Sequence, residues 1–140
     1  MSELTKIRED HAALAKLFRQ LREMVGSSRP PSQLVLFDLR RELVSTLLAH
    51  LKLEDWALYP RLIQSNDDGV SEVGRRFQQE MGGLAPAFVA YCDKWSANAI
   101  ESNWQDYCHD TREILDSLEE RLVRENRELL PLLEKLDEAA

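Results

Sequence analysis

A histidine and a glutamate four residues apart form the clearest chemical pattern in this chain. His50 and Glu54 lie in the run LLAHLKLEDWALYPRL, residues 47 to 62. The run is rich in residues that favour helices, and a spacing of four places both side chains on one helical face. That spacing recurs by chance on many helices, so its meaning depends on the residues that face it.

Nearly the same pattern returns 71 residues later, in the run LEERLVRENRELLPLL of residues 118 to 133. At the position of His50 the second copy has Arg121. The identical pairs are Leu47/Leu118, Leu51/Leu122, Glu54/Glu125, Leu58/Leu129, Pro60/Pro131 and Leu62/Leu133. The repeat therefore predicts that Glu54 and Glu125 occupy equivalent positions, with a histidine four residues before the first and an arginine four residues before the second.

The elements that carry these residues are predicted to be helices throughout. Leu, Ala, Glu and Arg dominate the 140 residues, and no Val, Ile or Thr run alternates with polar residues as a strand would. Four amphipathic segments joined by short loops predict an all-α fold, an antiparallel up-down-up-down four-helix bundle. A chain of this length suits a single domain over residues 1–140.

Glycine, proline and capping residues predict where the helices begin and end. GSSRPP at residues 26–31 must break the first helix, and Pro60 is expected to kink the second near its end. Gly82, Gly83 and Pro86 predict a bend within the third. Two turns are expected, at 64–71 and 97–103, and the predicted helix caps are Ser2, Ser32 and Ser71.

Charge and cysteine content narrow the functional classes. A net charge of −7 makes nucleic acid and anionic membranes unfavourable partners, whereas a protein with a basic surface remains compatible. The charged N-terminus lacks the apolar core of a signal peptide and no run could span a bilayer, so we expect a soluble, cytoplasmic protein. Cys92 and Cys108 are expected to be reduced, partly buried thiols.

Four polar side chains fall in the apolar stripes of the predicted helices. His11 belongs to the stripe of the first helix, His50 and Glu54 to that of the second, and Glu125 to that of the fourth. Carboxylates held in a core need a cation, because an unpaired buried charge costs several kcal/mol. Either a divalent metal, held by the two histidines and two glutamates, or the guanidinium of Arg121 could supply it. His109 falls outside the stripe and is expected on the surface, and Trp56, Trp95 and Trp104 are expected to be packing residues.

The chain resembles the hemerythrin-like, HHE cation-binding family over essentially its full length. The resemblance is carried by IREDHAALAKLF, LLAHLKLEDWALYP, FQQEM and LEERLVRENRELLP in the four predicted helices. In that family one histidine per helix and two carboxylates hold two bridged iron atoms. The resemblance implies that His11, His50, Glu54 and Glu125 occupy ligand positions, whereas Met81 and Arg121 replace the other two histidines.

The resemblance favours a domain that holds at most one metal, most simply iron, with zinc or manganese as alternatives. The expected role is binding, sensing or storage. The alternative is a metal-free interaction module in which Arg121 replaces the metal; the fourth helix also resembles the metal-free regulator-of-sigma-D proteins. A two-metal oxygenase or oxygen carrier fits least, because two imidazoles are missing. No catalytic triad or phosphate loop is present, so the sequence favours a binding role over an enzyme.

Overall fold

The structure is a computed structural model that describes residues 2–139. Every regular element in that range is helical, which confirms the all-α prediction. The first half contains α1 (Glu3–Val25) and α2 (Gln33–Leu53), and α2 continues through a π-helical turn (Glu54–Leu58) into α3 (Tyr59–Ile63). The second half contains α4 (Asp68–Met81), α5 (Leu84–Lys94), α6 (Ala97–Ser102) and α7 (Trp104–Arg124), and α7 continues through a second π-helical turn (Glu125–Leu129) into α8 (Leu130–Ala139).

Several helix ends follow the predicted caps and breakers, whereas Ser32 precedes α2 as predicted but its side chain makes no capping hydrogen bond. The Ser2 hydroxyl accepts a hydrogen bond from the backbone N–H of Thr5, and α1 stops at the glycine and proline segment. The third predicted helix is interrupted at Gly82–Gly83, which separates α4 from α5. Gly74 in α4 is required by packing, because a Cβ there would lie 2.8 Å from Leu62 Cβ. This glycine allows α3 and α4 to pack closely together.

Two local predictions were wrong. Ser71 does not cap α4; Asp67 does, and Ser71 lies within the helix, where its hydroxyl donates to the Ile63 carbonyl at 2.7 Å. The segment 97–103, predicted to be a turn, contains α6. The side chain of Ser96 caps this short helix and Ile100 is buried in the core, so a local cap and one apolar anchor suffice to make it helical.

Ion pairs and hydrogen bonds tie the long helices together at several levels. Between α1 and the α2–α3 segment, Glu3 pairs with Arg61 and Asp10 contacts His50. Between α1 and the α7–α8 segment, Arg8 pairs with Glu134, and Arg22 pairs with Asp116 and Glu119. Between α5 and α7, Tyr91 contacts Thr111 and Lys94 pairs with Asp110. The helices therefore form a bundle in which ion pairs and hydrogen bonds join neighbouring helices along its length.

The apolar interior consists of two clusters. The larger extends from Leu14 of α1 past Leu51 and Leu122, and the smaller contains Ile7, Leu58 and Leu129 among its members. Each long helical segment contributes to both clusters, and a polar layer lies where the two meet. Trp56, expected to be a packing residue, is instead 75% exposed. Trp56 lies in the first π-helical turn and its ring packs outside the core against Lys52.

No helix within residues 2–139 is long and apolar enough to cross a membrane. The two cysteines are free thiols, with Cys108 buried and Cys92 half-buried, as expected from the sequence. His109 lies on the surface, where it pairs with Glu113.

Candidate metal centre

The polar layer between the two clusters brings together all four residues predicted as metal ligands. His11 lies one turn from Ile7 and Leu14, Glu54 lies between Leu51 and Leu58, and Glu125 lies between Leu122 and Leu129. One ligand atom from each of His11, His50, Glu54 and Glu125 can be chosen so that all four lie within 4.8 Å of one another. All four side chains are buried, with 5% exposure or less.

The atoms that face the middle of this group have no hydrogen-bond partner among the residues the structure describes. They are His11 Nε2, His50 Nε2, Glu54 Oε2 and Glu125 Oε1. His11 Nε2 approaches Glu125 Oε1 to 3.2 Å and Glu54 Oε2 to 3.8 Å, but neither contact is aligned as a hydrogen bond. Buried polar atoms are nearly always satisfied in folded proteins. Four unsatisfied ligand atoms directed at one point are what a cation site requires.

The opposite ring nitrogen of each histidine is held by a second residue. His50 Nδ1 donates to Asp10 Oδ2 at 2.8 Å, and His11 Nδ1 donates to Asn126 Oδ1 at 2.7 Å. Metal-binding histidines are usually oriented in this way, because a bond to one nitrogen fixes the ring and leaves the other free for the metal. Both imidazoles are therefore positioned to present Nε2 to the centre of the group.

The two carboxylates are also anchored from outside. The Tyr59 hydroxyl donates to Glu125 Oε2 at 2.5 Å, and Arg121 Nη2 donates to Glu54 Oε1 at 3.0 Å. The same Glu54 oxygen lies 3.2 Å from His50 Nε2. Each carboxylate thus has one oxygen bonded to Arg121 or Tyr59 and a second, here called the inward oxygen, that makes no hydrogen bond. This division suits metal binding by the inward oxygens.

Arg121 is a fully buried guanidinium beside this group. Its Nη2 bonds both Glu54 and Asp55 at 3.0 Å, its Nη1 donates to the Met81 carbonyl at 3.0 Å, and its Nε lies 3.6 Å from Glu125 Oε2. The Tyr59 ring lies beneath it, with the centroid 5.3 Å from Cζ. The pairing with Glu54 and Glu125 expected from the sequence is therefore present, together with a bond to Asp55 that the sequence did not indicate.

Both carboxylates begin a π-helical turn. Each turn is five residues long, starting at Glu54 or Glu125, and a proline follows two residues after its end. Proline cannot donate the usual helical hydrogen bond and its ring clashes with the carbonyl four residues back. The wider turn, in which the N–H of Tyr59 bonds the carbonyl of Glu54, relieves that conflict. Where the sequence predicted a kink at Pro60, the structure has a π-helical turn that begins at Glu54, one of the candidate ligands.

The close approach of charged groups shifts their pKa values. Burial lowers the pKa of His11, but the carboxylates of Glu125 and Glu54, together with Asn126, outweigh it and raise the pKa to about 10. The pKa of His50 is also raised, because attraction by Glu54 and Asp10 exceeds the effect of burial. Burial and repulsion by Glu54 raise the pKa of Glu125 to about 7, whereas His11, His50 and Arg121 lower that of Glu54 despite its burial.

The charge balance of the cluster defines what it can hold. The carboxylates of Glu54, Glu125 and Asp55 face one guanidinium, that of Arg121. With neutral histidines and all three carboxylates ionised, the cluster carries two uncompensated negative charges, and this repulsion is one cause of the raised pKa of Glu125. Protonation of both imidazoles supplies two positive charges, and so does one divalent cation. Protons and a single metal ion are thus alternative occupants of the same site.

Four contributing residues escaped the sequence analysis: Asp10, Asp55, Tyr59 and Asn126. Three of them adjoin a ligand in the chain, since Asp10 precedes His11, Asp55 follows Glu54 and Asn126 follows Glu125. Histidine ligands commonly have a polar outer partner, so a polar residue beside each ligand was the available signal. Tyr59 follows Glu54 by five residues, and only the π-helical turn brings its hydroxyl toward the centre.

A helical bundle with a buried group of two histidines and two carboxylates defines a class of cation-binding proteins. The family model described as the hemerythrin HHE cation-binding domain matches residues 2–133. This chain therefore belongs to the hemerythrin HHE cation-binding family. No curated protein sequence and no solved structure matches it.

Proposed function

We propose that this protein binds one divalent metal ion through His11, His50, Glu54 and Glu125, in a binding, sensing or storage role. The observation that carries the proposal is the convergence of four buried ligand atoms without other partners. Ligands about 2.1 Å from a tetrahedral metal are about 3.4 Å from one another. The four atoms here lie within 4.8 Å of one another, so metal binding calls for an inward movement of the side chains by about 1 Å.

Family membership favours iron, and the nitrogen and oxygen ligands also suit zinc or manganese. An iron ion would add one-electron redox chemistry, whereas zinc would supply only Lewis acidity. The chain's own residues orient the ligands: Asp10 and Asn126 fix the two imidazoles, and Tyr59 and Arg121 hold the outer carboxylate oxygens. We infer an antiparallel bundle, since Arg8 near the start of α1 pairs with Glu134, and Arg22 near its end pairs with Glu119.

A second metal is disfavoured by Arg121. Its guanidinium lies between Glu54 and Asp55 and near Glu125, so it already supplies positive charge on that side of the carboxylates. Met81 offers its backbone carbonyl to the same guanidinium and provides no imidazole. We therefore infer a site reduced from two metals to one, with Arg121 in place of the second.

Elemental analysis tests this proposal. Protein from iron-supplemented cells, purified without chelator, should hold close to one metal per chain, and His50→Ala should lose most of it. His109→Ala is the matched control, because this third histidine is exposed and far from the cluster in its contacts, so its metal content should equal that of the parent. Two tightly held metals per chain, or equal content in the His50→Ala variant, would contradict the proposed site.

A metal-free interaction module is the second candidate, favoured by the buried pairing of Arg121 with Glu54 and Asp55. With both imidazoles protonated the cluster is balanced without metal. Such a module, with a net charge of −7, should prefer a basic partner and bind it more weakly as salt rises. Metal content below about a tenth of an equivalent in the parent, whose four candidate ligands are intact, would favour this candidate over the metal site.

A further inference from the structure

A cleft between α1 and the α7–α8 segment reaches one of the four candidate ligands from outside. The cleft has a volume of about 630 Å³ and is lined by His11 and Asn126 together with apolar side chains from both helices. His50, Glu54 and Glu125 do not line it. His11 Nδ1 and Asn126 Oδ1, 2.7 Å apart, therefore join the cleft to the buried cluster.

The lining of the cleft resembles that of sites for small organic molecules. Phe18 and Leu122 are buried and form its floor, the small residues Ala12 and Ala15 leave space above α1, and Val123 is 57% exposed at its edge. Its volume falls within the roughly 300 to 1,000 Å³ range of ligand pockets, which are mostly apolar with a few polar groups that set orientation. Its polar groups are the buried His11 and the exposed Asn126.

The ends of the cleft limit the size and charge of an occupant. Arg8 and Glu134 pair across one end, and Glu119 near the other end is paired with Arg22. The Arg8–Glu134 pair is balanced, whereas Arg22 is shared by Glu119 and Asp116, so the cleft does not attract an anion, and its apolar lining is unfavourable for a desolvated cation. From Arg8 to Phe18 the cleft follows α1 for about 15 Å. A partner helix would have to displace these ion pairs, whereas a small neutral molecule fits between them.

We propose that this cleft binds a small, neutral, mainly apolar organic molecule whose polar group contacts Asn126. Such a molecule would touch the outer partner of His11, so its binding and occupancy of the proposed metal site would influence each other, and reciprocally. The cleft itself does not depend on the metal proposal; only this coupling rests on it. The two are separated by measuring binding with and without zinc.

The experiment uses N-phenyl-1-naphthylamine, a neutral apolar molecule that fluoresces more strongly in apolar surroundings. The full chain, freed of metal by chelator, should give a saturable increase equivalent to one site per chain. Ala15→Trp fills the cleft and should weaken binding by about tenfold or more, because an indole in the cleft excludes the probe. Ala90→Trp, an equally exposed alanine in the groove between α2 and α5, is the matched control and should bind like the parent.

Nuclear magnetic resonance locates the probe. The side-chain amide signals of Asn126 should shift on titration in the parent, and those of Gln33, which lies outside the cleft, should not. Absence of saturable binding, or equal affinity for the parent and Ala15→Trp, would overturn the proposal. If zinc does not bind but the probe does, the metal proposal fails and the cleft stands; if zinc binds and the probe does not, the reverse holds.

Discussion

The two copies of the repeated segment share a backbone and differ in the group that meets the carboxylates. In both, the glutamate begins a π-helical turn and a proline follows, so Glu54 and Glu125 are placed by the same local device. One turn before the glutamate, the first copy has His50 and the second has Arg121. The comparison shows that a histidine and an arginine can occupy the same position of a shared backbone arrangement without changing how the carboxylate is placed.

His50 and Arg121 approach the carboxylates from different directions. His50 directs Nε2 toward the centre of the cluster and is held by Asp10 behind it. Arg121 bonds the outer oxygen of Glu54 and reaches past it to Asp55 and the Met81 carbonyl. The histidine thus leaves the inward oxygens available, and the arginine neutralises charge from the other side. In the proposed site, an exchangeable cation would therefore lie on one side of the carboxylates, and the permanent cation of Arg121 lies on the other.

Removing the permanent cation should have the largest effect. Arg121→Ala leaves the buried Glu54 and the half-buried Asp55 without their guanidinium partner, so we expect a loss of about 3 to 5 kcal/mol in the free energy of unfolding, the range for breaking a buried pair. Urea unfolding with chelator present measures it. Arg41→Ala is the control, because that arginine is 77% exposed in a weak pair with Asp38 and should cost under about 1 kcal/mol.

Added zinc sharpens the same measurement. A divalent ion binds the folded protein and should restore part of the stability of Arg121→Ala, because it supplies positive charge to the same carboxylates. A loss of stability as small as that of Arg41→Ala would mean that Arg121 contributes little to neutralising the carboxylates. The exchange of His50 for Arg121 between the two copies would then have no energetic consequence.

The apolar stripes of the two repeated segments were predicted from the sequence, whereas their π-helical turns were not. His50, Glu54, Leu58 and Leu62 are spaced by four, and each such step overshoots an α-helical turn by about 40°. A plain α-helix would carry the last of them off the core, yet Leu58 and Leu62 are both buried. The π-helical turn, with more residues per turn, absorbs the drift. A run of four-residue steps ending near a proline was the signal, and it occurs in both copies.

The candidate ligands were predictable because residue type and periodicity point in the same direction. A histidine or glutamate at a core position is conspicuous, so His11, His50, Glu54 and Glu125 stand out in the sequence. Their outer partners do not, because Asp10 and Asn126 are polar residues beside many others and only tertiary packing selects them. The prediction for Trp56 was wrong because it rested on residue type alone, whereas the turn that starts at Glu54 directs this side chain outward.

Protonation offers a second way to test the exchangeable cation. The pKa of His11, raised to about 10, means that the metal-free protein holds this imidazole protonated at pH 7, and the raised pKa of His50 favours its protonated form. Zinc must displace the proton on His11 and any proton on His50, so we expect release of at least one proton per zinc and an affinity that rises by at least about tenfold per pH unit. Calorimetry in buffers of different ionisation enthalpy, between pH 6 and 7.5, measures both quantities.

The same pKa shifts predict how the metal-free protein responds to pH. The pKa of His11 rises from its ordinary value of 6.5, which applies to the unfolded chain, to about 10 in the folded protein. Its contribution to stability is therefore complete below pH 6.5 and is lost as pH rises toward 10. Unfolding with chelator should show a decline over that interval, and zinc should remove it. Proton release near zero, or stability that rises with pH in this range, would contradict the proposed competition between protons and metal.

The smallest effects on zinc binding should come from Asp10 and Asn126, which hold the two imidazoles. One is a charged carboxylate and the other a neutral amide. Asp10 is a carboxylate that accepts from His50 Nδ1, with Lys6 bonded to its other oxygen at 2.7 Å, whereas Asn126 is a neutral amide behind His11. A carboxylate behind the ring raises the basicity of the metal-binding nitrogen more than an amide does. Asp10→Asn should therefore weaken zinc binding by about 10- to 100-fold, and Asn126→Ala should lie at or below the lower end of that range.

Competition titration against a zinc indicator at fixed pH measures both variants, with Glu9→Gln as the control for loss of a nearby surface charge. The Glu9→Gln variant should bind like the parent, since this neighbour of Asp10 is exposed. Equal losses in Asp10→Asn and Glu9→Gln would mean that Asp10 acts only through net charge. A larger loss in Asn126→Ala than in Asp10→Asn would mean that the position of the His11 ring, rather than the basicity of His50, limits how tightly the site holds its metal.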